Sequence, residues 1–142
     1  IAKKAIKREQ IQHAVEWTKK CGIVPAGSFI IGLPGDTEEG ILDTIEFGTN
    51  LNLYSITFPI ATPFPGSELR EMALRNDYGM SIHSSEWSDY LANDFDKYGK
   101  TNIRVLDSMD LPWTKRIALQ KIGYDKNPKK KIAEYVTALK LA

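Results

Sequence analysis

The side chains of this 142-residue sequence that stand at spacings able to do chemistry gather around one stretch, Gly32-Leu33-Pro34-Gly35-Asp36-Thr37-Glu38-Glu39. Glycines at a turn from strand to helix leave backbone N–H groups at a helix N-terminus, beside the carboxyl end of a strand, where α/β proteins commonly hold ligands. No Walker lysine follows the turn and no G-x-G-x-x-G is present, and Glu38 and Glu39 would oppose a phosphate. A neutral or cationic ligand is the easier one to accommodate. Capping accounts for the carboxylates: Asp36 and Thr37 offer helix N-caps, and Glu38 and Glu39 fill a first turn. They form no acid–base pair, no nucleophile motif recurs, and no catalytic residue follows from chemistry alone.

Cys21 is the single cysteine, which excludes an internal disulfide framework and any metal or cluster site built from several cysteines of this chain. It falls on the apolar stripe of a helical pattern and reads as a small buried core residue. His13 and His83 lie far apart in sequence and read as surface or rim residues, so no metal ligand is assigned. The basic group Lys126, Lys129, Lys130 and Lys131 precedes an apolar stripe of Ile132, Tyr135, Val136 and Leu139, and reads as a solvated helix face.

The elements that position the glycine turn follow from periodicity. Ile11, Ala14, Val15, Thr18 and Cys21 recur at helical spacing, with Gly22 as C-cap and Pro25 blocking continuation. The apolar run Phe29 to Leu33 has strand length, and a helix is expected from about Thr37 to Asn50, carrying Ile41, Leu42, Ile45 and Gly48. From Tyr54 to Ala61 large apolar residues alternate with small or polar ones, the period of a strand with unlike faces. Two strands joined by a helix make a βαβ unit with parallel strands, so the loops at 32–36 and 61–67 emerge on the same edge of the sheet. Tyr54, Ile56, Phe58 and Ile60 suit a face packed beneath helices, whereas Ser55, Thr57 and Ala61 leave room on the other.

Ser67 is the expected N-cap of a helix carrying Leu69, Met72 and Ala73 and closed by Tyr78-Gly79. Between Met80 and Lys100 the pattern weakens, and Trp87, Tyr90, Phe95 and Tyr98 suggest an irregular segment held over the core by its own aromatics. A strand over 101–106, a helix from about Asp110 to Ile122 capped by Gly123, and a last helix from 127 to 141 complete the expectation.

Composition sets the outer bounds. The chain is 42% hydrophobic and 26% charged, with a formal charge of +1, so a packed core is expected and neither nucleic acid nor an anionic membrane is called for. No apolar stretch reaches membrane-spanning length and no signal sequence leads the chain, which makes a cytoplasmic setting the expectation. The sequence opens at Ile1 directly into a helical pattern, as an excised segment would.

Four stretches in this order, Arg8-Glu9-Gln10, Lys19-Lys20-Cys21-Gly22-Ile23, Phe29-Ile30-Ile31-Gly32-Leu33-Pro34-Gly35-Asp36-Thr37-Glu38-Glu39 and Ile60-Ala61-Thr62-Pro63-Phe64-Pro65-Gly66-Ser67-Glu68-Leu69, carry a likeness. Residues 1–78 resemble the C-terminal half of a radical S-adenosylmethionine core, closest to the branch that often carries an N-terminal cobalamin-binding domain. The resemblance implies an α/β fold, a partial (β/α) barrel in which residues 26–33 and 54–61 are the fifth and sixth strands, with 79–142 an irregular aromatic segment and a helical C-terminal extension. It implies that Ile30, Ile31, Gly32, Leu33, Ala61 and Thr62 border the adenine of S-adenosylmethionine. Ser28 stands where the family's strand motif has its first glycine, and Gly35 where it has a glutamate.

The family's C-x-x-x-C-x-x-C cluster motif is absent, so a [4Fe–4S] cluster, S-adenosylmethionine and any cobalamin belong to a longer parent enzyme. In that parent the cluster would donate an electron to S-adenosylmethionine, giving a 5′-deoxyadenosyl radical for hydrogen abstraction or methyl transfer. This chain alone is expected to be inactive, to pair with a missing N-terminal half-barrel or with itself, and to bind no cofactor tightly. The alternative is a non-catalytic α/β binding or assembly module that docks a partner through an open sheet edge.

Overall fold

The computed structural model describes residues 6–90 and 104–126. Helix α1 (Arg8–Lys20) starts where the Lys7 N–H donates to Gln10 Oε1 at 2.8 Å. Its Ile11 and Val15 rest half-buried on the core, and none of its residues is fully buried. The expectation for Cys21 is overturned: it caps the C-terminus of α1 and is exposed, because the stripe leaves the core before the chain turns at Gly22, φ +72°. Arg8 joins α1 to α2 (Glu38–Asn50) by an ion pair with Asp43, whose hydrogen bond holds the Asp43 carboxyl below its ordinary pKa. The Arg8 guanidinium also lies 5.0 Å from the Phe47 ring centroid.

Strands β1 (Ala26–Ser28) and β2 (Ser55–Thr57) pair in parallel, with Gly27 opposite Ile56 and Ser28 opposite Thr57, and α2 connects them. The ladder continues through Phe29 N to Thr57 O at 2.9 Å, Ile31 N to Pro59 O at 2.8 Å and Ala61 N to Ile31 O at 2.8 Å. Regular strand is shorter than expected: β1 precedes the apolar run Phe29 to Leu33, of which only Ile31 pairs, as an isolated bridge, and β2 covers three residues of the stretch from Tyr54 to Ala61. Pro59 has no N–H to give, and pairing returns only as a single bridge between Ile31 and Ile60. The two-residue period holds up to that interruption, with Ile56 and Phe58 buried and Ser55 and Thr57 exposed; past it Ile60 and Ala61 are both buried, so Ala61 does not share the open face expected for it.

The main core forms where α2, β2 and α5 (Trp113–Lys126) converge, with Ile31, Ile41, Ile45, Phe58 and Leu119 at its centre. Helix α5 does not end at Gly123. It runs three residues further, and Gly123 lies within it because a Cβ there would stand 2.6 Å from the Phe58 ring. The glycine serves close packing rather than a cap. From the same helix, Gln120 Nε2 donates to Phe58 O at 2.7 Å, and the Tyr124 hydroxyl accepts from Phe58 N at 3.4 Å. Helix α5 thus takes the N–H and C=O of Phe58, the residue just past β2, on the side away from β1.

Ser67 caps α3 (Glu68–Leu74), accepting from Arg70 N at 3.2 Å. This helix stops four residues before the expected Tyr78, since Asn76 and Tyr78 adopt left-handed φ of 60° and 54° around a 3₁₀ turn at Asp77–Gly79. Strands β3 (Ser81–Ile82) and β4 (Leu106–Asp107) make a short antiparallel pair, packed through Met80 and Leu106 on Ala73 of α3. A single turn, α4 (Trp87–Tyr90), lies between them in sequence. Phe95, Tyr98, the lysine group from 129 onward and the expected last helix lie outside the described residues. Among the described residues no helix is long and apolar enough to cross a membrane.

Candidate functional site

The glycine turn is built differently from a free anion cradle. Gly32 has φ +82° and Gly35 φ +83°, conformations that suit glycine and let the chain turn between the Ile31 bridge and α2. The helix cap is Thr37, whose Oγ1 accepts from Gly40 N at 3.1 Å. Asp36 does another job. Its Oδ2 accepts from Gly32 N at 3.0 Å and Leu33 N at 2.9 Å, so the turn's own N–H groups are satisfied from within. Capping of the helix by Asp36, expected from sequence, is replaced by capping of the turn.

Behind the turn lies Arg116 of α5, only 2% exposed. A Cβ on Gly32 would meet Arg116 Nη1 at 3.0 Å, so the glycine also makes room for the guanidinium. Arg116 Nε donates to Leu111 O at 2.8 Å and Nη2 to Ser108 Oγ at 2.7 Å, while Nη1 has no protein partner among the described residues. Burial pushes the guanidinium pKa down, and the nearby Asp107 and Asp36 charges oppose that shift. The void between Gly32, Asp36, Ser108 and Arg116 is about 10 Å³, room for no more than a water molecule. This side of the turn is structural.

The opposite side opens into a cleft of about 530 Å³, within the range of small-molecule sites. Ser28, Ile30 and Thr57 form its floor, on the open face of the parallel pair. Leu33, Ala61 and Thr62 form one end, at the carboxyl edge of the strands. Phe64, Leu69, Tyr90 and Tyr124 close it with apolar surface. Among the described residues no Asp, Glu, Lys, Arg or His lines it. Both loops that were expected at one edge of the sheet reach this cleft.

Of the six residues nominated from sequence, Ile30, Leu33, Ala61 and Thr62 line the cleft. Ile30 is 50% exposed there. Ile31 is 1% exposed with its side chain in the core, and its N–H and C=O are both used in the ladder. Gly32 faces Arg116 and not the cleft. Sequence reading missed Arg116, Gln120 and Tyr124 altogether. Their signal is polar residues spaced with Leu119 and Gly123 on one stripe of a helix, which a purely apolar template passes over.

Cys21 is exposed, and among the described residues no group of three or more His, Cys, Asp or Glu side chains is placed to hold a metal. These residues do not fit an iron–sulfur cluster. His83 instead meets Ser81 Oγ at 2.9 Å and Arg104 Nη2 at 3.0 Å through Nε2, and His13 stacks on Trp17 with ring centroids 6.3 Å apart.

No protein-family model matches the chain. Over 91 residues, 64% of this chain, it is 38% identical to an uncharacterized methyltransferase of Pyrococcus horikoshii. Over 72 residues, 51% of this chain, it is 38% identical to a Methanocaldococcus jannaschii protein named as a methylthiotransferase. The chain spans 19% of the first relative's length and 16% of the second's. Both names denote group-transfer enzymes, and both fit broadly the likeness to the radical S-adenosylmethionine core carried by residues 1–78.

Proposed function

We propose that this chain is the part of a radical S-adenosylmethionine methyl- or methylthio-transferring enzyme that borders the adenine of S-adenosylmethionine, within a partial (β/α) barrel. One observation carries the reading. The parallel pair β1/β2 and its connecting helix bring the two motif loops, 32–36 and 61–67, to one edge of a cleft that no charged side chain among the described residues lines. Ile30 and Leu33 offer apolar surface to an adenine face, and Ala61 is small enough to let the ring approach the strand end. Thr62 Oγ1 donates to Ile60 O at 3.1 Å, which fixes that end of the cleft. Ile31 and Gly32 act through the backbone: one locks β1 to β2, the other allows the sharp exit towards α2.

An iron–sulfur cluster, held by residues other than these, would supply the electron for reductive cleavage of S-adenosylmethionine. This chain's contribution is binding and orientation, with no proton or electron moved by its own side chains. The longer protein, purified without oxygen and given iron, sulfide, reductant and S-adenosylmethionine, is expected to accumulate 5′-deoxyadenosine, with candidate methyl acceptors added where turnover is tightly coupled. A longer protein that binds no iron and has no cluster-spaced cysteines would overturn the enzyme reading and favour the binding-module alternative.

A further inference from the structure

The cleft has a second wall that the adenine reading leaves unused. Phe64 is 48% exposed at its mouth, and its ring centroid lies 5.9 Å from that of Tyr90, which lies 5.7 Å from that of Trp87. The central ring, Tyr90, is held in place by its polar handle. The Tyr90 hydroxyl accepts from Arg70 Nη1 at 2.8 Å and donates to Ser84 O at 3.0 Å. Arg70 reaches this wall through Nη1, which is turned onto the Tyr90 hydroxyl and the Pro63 carbonyl, the latter at 3.4 Å. The Tyr124 hydroxyl, across the cleft, is engaged at Phe58 N. Each phenol therefore spends its polar end within the protein, and Tyr90, only 3% exposed, backs the Phe64 ring rather than offering a free face of its own. Among the described residues no ionisable side chain but these tyrosines lines the cleft, so a charged ligand group would be desolvated there without a partner from them.

We infer that Phe64, backed by Tyr90, forms a subsite for a planar, uncharged ring of the acceptor substrate, beside the edge at Leu33 and Ala61 and separate from it. The inference rests on the reading of the cleft as a ligand site, and it names the substrate class: a neutral aromatic or heteroaromatic group stacked on Phe64. Ser28 and Thr57, polar and exposed on the floor, are placed to hydrogen-bond such a ring's edge substituents.

The test titrates this chain, by calorimetry and amide NMR, with 2-naphthol, with 2-naphthoate and with adenosine, alone and in pairs. Naphthol is expected to bind, and naphthoate about tenfold more weakly because its carboxylate loses water without gaining a partner. Phe64→Ala is expected to weaken naphthol about fivefold and leave adenosine unchanged, with Phe64→Tyr restoring the affinity. Phe64 is half exposed, so its removal leaves the core intact, and circular dichroism checks this. Simultaneous binding of naphthol and adenosine supports two subsites. Mutual exclusion overturns the inference, because the aromatic wall is then the adenine seat itself. Equal binding of naphthoate, or no binding of naphthol, also overturns it. Naphthol binding that depends on Phe64 without any adenosine binding supports the subsite, since this chain alone is expected to hold no cofactor tightly.

Discussion

The two faces of the parallel pair β1/β2 are made from alternate residues of the same strands, yet they differ in almost every physical respect. On one face Phe58, fully buried, meets Phe29 and Tyr124 with ring centroids 6.0 and 5.9 Å away, and both Gly48 and Gly123 exist where a Cβ would strike a ring within 3 Å. On the other, Ser28, Ile30 and Thr57 are exposed over a cleft of about 530 Å³. Stability is therefore concentrated on one face and vacancy on the other, and α5 enforces the difference by locking onto Phe58 through Gln120 and Tyr124. A binding site benefits from this arrangement, since its floor can vary while the packed face holds the backbone still.

Substitutions on the two faces should separate sharply. Phe58→Ala empties the centre of the packed face and is expected to cost about 3–5 kcal/mol in urea denaturation, enough to unfold a marginal domain. Gly123→Ala adds a methyl against a ring that cannot retreat. The expected loss is about 1–3 kcal/mol, even though alanine favours helix; an unchanged or higher melting temperature would show that α5 is not tightly seated on Phe58.

Asp36→Ala acts at the border between the faces. It strips the acceptor from Gly32 and Leu33 N–H, with an expected loss of about 2 kcal/mol and large amide shifts at those two residues. Shifts confined to residues 36 and 37 would mean that the turn holds its shape without the carboxylate. Thr57→Val, on the open face, is expected to change stability by no more than about 0.5 kcal/mol. A larger loss would show that the floor of the cleft is covered by more than the described residues.

Much of the βαβ unit was legible because its signals are local. Thr37 and Ser67 cap helices where a hydroxyl precedes a helical period, and Ile56, Phe58 and Ile60 alternate as a half-buried strand must. The parallel pairing followed from the length of the connection, which is too long for a hairpin and fits a crossover helix. Illegible features were those in which one residue serves a distant one. Gly123 resembles a C-cap in sequence and is a contact surface for Phe58, 65 positions earlier in the chain. Cys21 keeps the apolar period of α1 but lies past the last turn that touches the core, so its exposure depends on where the helix leaves the protein.

Periodicity, glycine and capping chemistry determined the order of strand, turn, helix and strand, the face of β2 that is buried, and the gathering of two loops at one sheet edge. Those are consequences of covalent geometry and of hydrophobic pattern within a few turns of chain. Tertiary structure decided that Asp36 closes the glycine turn from within, that Arg116 fills the space behind Gly32, and that the open side of the strands carries an aromatic wall from Phe64 and Tyr90. Each of these depends on which elements meet, and α5 and α4 reach the βα unit from positions that local propensity does not encode.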